Sequence, residues 1–441
     1  MAIAATTNIN SLDAGVIPAL TRADLQGLAT TSIANIQATT IDLLLADQIS
    51  YLSASQLATL DISAITSLDG DQVASISASN ILGLTTTQLS AIDTVALQSL
   101  TIRQIAALNS EKLNSLVVTG LSAEQITDLG ITGVVKLSAT SLANLSSNQI
   151  QALSIRQIAA LTTQQVSDLN TSTLRRLLNS QVEALETNDV AVLSAASLNA
   201  LTSGQLQSLK VVGLTTQQFS DISSSTLRSL TATQVASIGT DRIAAFDFYT
   251  TIKALSSDQI QGLTVNQIAA LTSLQATDLN SVFLRALTEA QVAALSTSAI
   301  AALSERPLSS LKSSQVQSLK TAQITSITSD QVASLTTGFV SALTPTQLGV
   351  LTTQNFKQLS ILSIASLSSL QLVGLTTSQV SSLDSETLDS FNTSAIKGLT
   401  ATQIIALTTK QIYDLSIKTV KALSTSQIIA LETNYVAILP R

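Results

Sequence analysis

Five aspartates, Asp128, Asp168, Asp221, Asp278 and Asp414, come nearest in this chain to residues that could act together. Carboxylates can work as general acids and bases, or hold hard cations. All five fall at the same place in a repeating pattern, each in a separate repeat, so nothing pairs them along the chain. A solvated polar position is the expectation, and a cation-binding edge is the alternative. The chain has no His and no Cys, which excludes the common triads, thiol nucleophiles, thiolate zinc sites and disulfides. Neither GxxxxGK[ST] nor GxGxxG occurs, and the GGxGxD calcium-repeat motif is absent. We therefore expect no enzyme, no catalytic residue, no cofactor and no metal site.

Other candidates are fewer. The one aromatic cluster, Phe246, Phe248 and Tyr249, lies in AAFDFYTTIK; it reads as packing around an inserted residue, with a ligand or partner contact as the alternative. Asn144-Leu-Ser and Asn392-Thr-Ser match glycosylation acceptors, as chance allows in a chain rich in Asn, Ser and Thr. The 21 Lys and Arg are scattered, so no basic run matches a phosphate backbone and nucleic acid is not an expected partner. No apolar run approaches the roughly 20 residues of a transmembrane helix. The N-terminus shows no basic and apolar leader.

What positions these residues is a repeat. Let n be the first apolar residue of a unit; a second apolar residue stands at n+3. Ile9/Leu12 and Ile17/Leu20 open a series that steps by eight to Leu113, by five to Val118, by eight to Leu206 and by five to Val211. Eights then reach Ile243, one nine-residue step leads to Ile252, and eights run on to Val436/Leu439. These make 55 units with no linker among them, so residues 1–441 read as one continuous array, irregular near 113–118, 206–211 and 243–252.

An eight-residue step leaves an apolar pair about 80° out of phase on a continuous helix, and a step of three places it on opposite faces of a strand. Something must reset the chain in each unit. In Leu161-Thr-Thr-Gln-Gln165-Val166, Thr162 stands three residues before Gln165, which is a capping box, and Leu161 and Val166 form the hydrophobic staple. Gln occupies n−1 in 26 of the 55 units, so the signal is general. Pro345 falls at the first helical position, where its missing N–H is harmless, and Pro307 at the third. Pro18 fits poorly, so the first two units should be irregular.

Each octad is thus expected to form a two-turn helix about 12 Å long, too short to persist alone. The fold class is an all-α solenoid of short capped helices, one per octapeptide; a β-solenoid is the competing reading, favoured by Ile, Val and Thr. Position n+2 is Ala, Ser or Gly in 39 units, which allows coils to approach closely. The two five-residue steps each lack about one helical turn and should alter curvature or coil phase.

The segment 161–193, LTTQQVSDLNTSTLRRLLNSQVEALETNDVAVL, aligns without a gap to 407–439, LTTKQIYDLSIKTVKALSTSQIIALETNYVAIL. The last unit thus looks like an interior one, and an unfinished face invites head-to-tail association with another copy. The units LTTQQVSDL, LTATQIIAL (399–407) and LSSDQIQGL (255–263) give L-[ST]-x-x-Q-[IV]-x-x-L, which resembles octapeptide arrays in large bacterial proteins, many secreted or surface-associated. The resemblance covers nearly the full chain and implies an extracellular structural or adhesive role. The expected function is a self-assembling structural protein forming a filament or surface layer. The alternative is an adhesin whose repeat face binds glycan or protein. The expected location is the cell exterior by a route without a cleaved leader, or else the cytoplasm.

Overall fold

The computed structural model describes residues 3–245 and 255–438. Among them the chain is a repeated array of short helices with no strand, a helical solenoid. The β-solenoid alternative is set aside. The cluster at Phe246, Phe248 and Tyr249 lies outside the described residues.

The unit beginning at Thr162 shows why the octad folds as it does. Thr162 is extended (φ −72°, ψ 151°), its side chain accepts from the Gln165 N–H, and the Gln165 side chain accepts from the Thr162 N–H. The helix runs Thr163–Asp168, and Leu169 is again extended, with its N–H on the Val166 carbonyl. Six helical residues and two extended ones make eight. Most helices have five or six residues, so they are shorter than the two turns expected, because the apolar n+3 residue leaves the helix as well as the cap. A helix this short has hardly any backbone hydrogen bonds of its own; packing must hold it.

The same arithmetic explains the shortened units. Val118–Gly120 and Val211–Gly213 are single 3₁₀ turns that start at n itself, directly after Val117 and Lys210; the three residues that precede n in other units are missing, and the step becomes five. The opening units, Ile9–Ser11 and Ile17–Ala19, are also 3₁₀ turns, the second carrying Pro18. Pro345 begins its helix behind the cap Thr344, and Pro307 is the third residue of Glu305–Leu308. A different joint occurs after Ala123–Asp128, where Leu129 stays helical and Gly130 turns the chain with φ +63°. Only glycine takes that conformation without strain.

Position n is buried in every described unit from Ile9 to Ile404. The chain divides into two compact units, Met1–Leu214 and Thr215–Arg441. Within each, a helix packs on the helix three octads away, as Ala46–Tyr51 does on Gly70–Ser75 and Ser273–Thr277 on Thr297–Ala302. The small residue at n+2 is where backbones meet. A Cβ on Gly83 would come within 2.0 Å of the Ala54 carbonyl oxygen, and one on Gly398 within 2.0 Å of the Ser369 oxygen. In both cases the neighbour is the first helical residue three units earlier.

The two aligned segments end differently. In the interior copy, Leu185 and Glu186 are extended and separate Asn179–Ala184 from Thr187–Val192. In the second copy the same Leu-Glu-Thr-Asn stretch lies inside one helix, Thr425–Ile438. The expectation that the last unit repeats interior geometry therefore fails: Leu-Glu-Thr-Asn breaks a helix where coils pack around it and does not break this one.

Candidate functional site

The feature with the most chemistry in this molecule is a buried ladder of glutamines. Gln48 is 3% exposed. Its Oε1 accepts the Leu45 N–H at 2.8 Å, while its Nε2 donates to the Ile17 and Leu20 carbonyls at 2.9 Å each. Those carbonyls belong to positions n and n+3 of the unit four octads earlier. One side chain therefore closes the start of its own helix and the end of another in the preceding coil. Each end would otherwise leave main-chain groups unpaired.

The arrangement recurs through both compact units. Gln104 donates to Val73 and Ile76, Gln181 to Ile150 and Leu153, Gln347 to Val316 and Leu319, and Gln427 to Ile396 and Leu399. Contacts three octads apart and hydrogen bonds four apart together give a coil of between three and four octads.

The ladder counts units rather than residues. Its usual reach is 31 and 28 residues back. Across the five-residue step at Val118 it shortens, and Gln125 donates to Leu97 and Leu100, 28 and 25 back. Across the nine-residue step it lengthens, and Gln259 donates to Leu227 and Leu230, 32 and 29 back. The irregular steps change spacing and preserve the pairing of unit with unit.

At some positions without Gln, another donor takes its place. Asn80 and Asn355 at the same position reach the Leu52 and Ile327 carbonyls at 2.9 and 3.2 Å, and Lys112 reaches Leu82. Gly133 has no side chain to offer, and there Lys136, three residues on, donates to Leu108 and Ala106. Thr173 is too short, and Arg176 donates to Leu145 and Ala143. A third solution is built from below. Asn10, Asn114 and Asp389 reach up to the next coil: Asn10 accepts the Gln37 N–H and the Thr40 hydroxyl, Asn114 the Ser138 N–H and the Ser141 hydroxyl, and Asp389 the Ser416 N–H and the hydroxyls of Ser416 and Thr419. No buried side-chain nitrogen or oxygen among the described residues lacks a partner.

The first five octads carry Asn8, Val16, Asp24, Ser32 and Thr40 at the ladder position; Gln48 in the sixth is the first glutamine there. Asp24, an acceptor only, closes its own cap with Thr21 and takes the Ile3 N–H at 3.1 Å. The Thr21 hydrogen bonds, helped by that of Ile3, hold its carboxyl below the usual carboxylate range.

The five aspartates of the sequence pattern do not converge. Asp168 and Asp221 are held by Gln164 and Gln217, one turn earlier on their own helices, and Asp414 by Lys410 at 2.5 Å. No group of three or more acidic residues among the described ones could hold a metal ion. Sequence reasoning identified the capping role of Gln and missed its amide. The signal available was the absence of Gln from the first units.

Surface grooves are shallow. One groove with charge in it, about 480 Å³, is lined by Arg285, Glu305, Arg306, Ser281, Ser309 and Ser334. Ser334 donates to Glu305 at 2.7 Å. No helix among the described residues is long and apolar enough to cross a membrane.

No family model matches the chain, and no curated protein matches it. Among solved structures, the chain described as "Structure of APUM23-GGAAUUGACGG" aligns over 97% of this chain and 90% of its own, at 11% identity and a TM-score of 0.16. At that TM-score the likeness carries no argument.

Proposed function

We propose that this is a structural repeat protein, without catalysis, whose coils associate with further copies to build an extracellular filament or surface layer. The observation that supports the reading most directly is the coil-to-coil ladder: its buried polar side chains are engaged in holding one coil on the next. Such an interface is alike at every step, so a coil face in one copy has the shape and polarity to meet a coil in another. Val420 and Ile428, at the position buried from Ile9 to Ile404, are 40% and 38% exposed and supply the apolar part of such a face. The first coil lacks glutamine donors, so a joint formed there rests on apolar contact rather than on a continued ladder.

Sedimentation velocity and electron microscopy of the purified chain test this. Filaments or lattices that dissolve in the Val420→Asp, Ile428→Asp double variant are the expected result; a monomer at high concentration rejects it. Protease treatment of intact cells tests the exterior location. One observation favours a second reading, a surface scaffold that binds glycan: Arg285 and Arg306 share a hydroxyl-lined groove suited to an acidic sugar. Affinity for acidic polysaccharide that is lost in Arg285→Ala, Arg306→Ala, without any assembly, would favour it.

A further inference from the structure

One rung of the ladder is built from a carboxyl group. Asp189 occupies the ladder position of the unit at Val190, is 4% exposed, and accepts the Glu186 N–H at 2.9 Å as a ladder Gln accepts its own cap. Four octads earlier, at the Ile158–Leu161 turn, no glutamine amide is present. Two asparagines at this position, Asn80 and Asn355, show what a side chain of the same shape does here: each donates to a carbonyl 28 residues earlier. For Asp189 the residue 28 earlier is Leu161. A carboxylate can only accept, whereas a protonated carboxyl can donate as the Asn amide does.

We infer that Asp189 is a proton-operated latch between two coils of the first compact unit: it closes on the Leu161 carbonyl when protonated and opens when ionised. Closing takes one proton from solvent onto the oxygen not used by the Glu186 N–H, and that O–H then donates to Leu161.

The surroundings favour proton uptake. Burial pushes the Asp189 carboxyl above its ordinary value; the Glu186 N–H pulls it down, the Glu186 charge pushes it up and Lys210 pulls it down. Lys210 pairs with Glu186 at 3.0 Å, which divides its attention. The helix Ile155–Ala159 below carries Arg156, and Thr163–Asp168 carries Asp168; both are exposed, and Asp168 is held by Gln164. The folded carboxyl keeps its proton to higher pH than the unfolded one. Its contribution is therefore complete in acid, below the ordinary carboxylate value, and is lost as pH rises through the raised value.

The test uses the full chain. Hydrogen exchange of the amides in 187–193, corrected for intrinsic rate, is compared over a series from pH 3 to pH 7 for the native chain and Asp189→Asn. A 13C-carboxyl NMR titration gives the Asp189 midpoint directly, and circular dichroism checks that both proteins are folded. The expected result is several-fold greater protection at the acid end than at pH 7 in the native chain, with protection in the variant that is high at pH 7 and insensitive to pH. Native protection that does not change with pH, an ordinary aspartate midpoint, or lower protection in Asp189→Asn at pH 7 would each overturn the latch.

Discussion

Glutamine suits the ladder because its amide has an acceptor and a donor end on a stem long enough to span two coils. Leu would fill the space and orphan three main-chain groups; Glu would keep the cap and turn an oxygen toward two carbonyl oxygens. Gln181→Leu should therefore cost about 1–3 kcal/mol for each group left unpaired, read by urea denaturation. Gln181→Glu should be worse at pH 7 and recover in acid as the carboxyl takes a proton. Gly130→Ala, which puts a Cβ on a backbone at φ +63°, should lose about 1–2 kcal/mol. At this scale the sequence was readable where both partners lie in one octad. Thr162 and Gln165 are three residues apart, and their capping box was evident. The other end of Gln165, on Val134 and Leu137, was not, because its partner depends on how many octads make a coil, and local spacing does not encode that.

Between elements, the ladder explains how the chain absorbs irregular steps. A unit can shrink to a 3₁₀ turn because what must be kept is one cap, one end and one place in the count of four. Removing a unit is then tolerated in shape and damaging in pairing. Excision of residues 122–129, between Asn114 and Ser141, should leave a helical protein. It would set Ser141 over the wrong coil and deprive Asn114 of the N–H and hydroxyl it accepts, lowering protection of Ser138 and Ser141 in hydrogen exchange. The latch at Asp389 gives a pH prediction of opposite sign to that at Asp189. Burial raises its carboxyl, but the hydrogen bonds of Thr419 and Ser416 outweigh this and hold it below the usual value. Its contribution is present above the ordinary carboxylate value and is lost as pH falls through the lowered one. Protection of Ser416 and Thr419 should therefore drop in acid, and Asp389→Asn should remove the pH dependence.

For the molecule as a whole, the helical solenoid was evident from capping boxes and the eight-residue period, because both are local. The two compact units were not, since the repeat continues across residue 214 without a change in composition. Residues 1–214 produced alone should give a helical far-UV circular dichroism spectrum and a cooperative melt, because the ladder bonds from Gln48–Ile17 to Gln205–Leu174 lie within that unit. The five aspartates lie in separate units, and the C-terminal segment shows that a repeated sequence need not repeat its break.

The ladder amides all point one way along the chain, from a later octad to an earlier one, and the first of them is Gln48. A ribosome delivers residues in that same order. As each new glutamine emerges, the carbonyls it needs were translated about thirty residues before and are already shaped by their own caps. Growth of this protein can therefore proceed like the winding of rope onto a drum, each turn fastened by material arriving after it, with no nascent segment waiting for a distant partner.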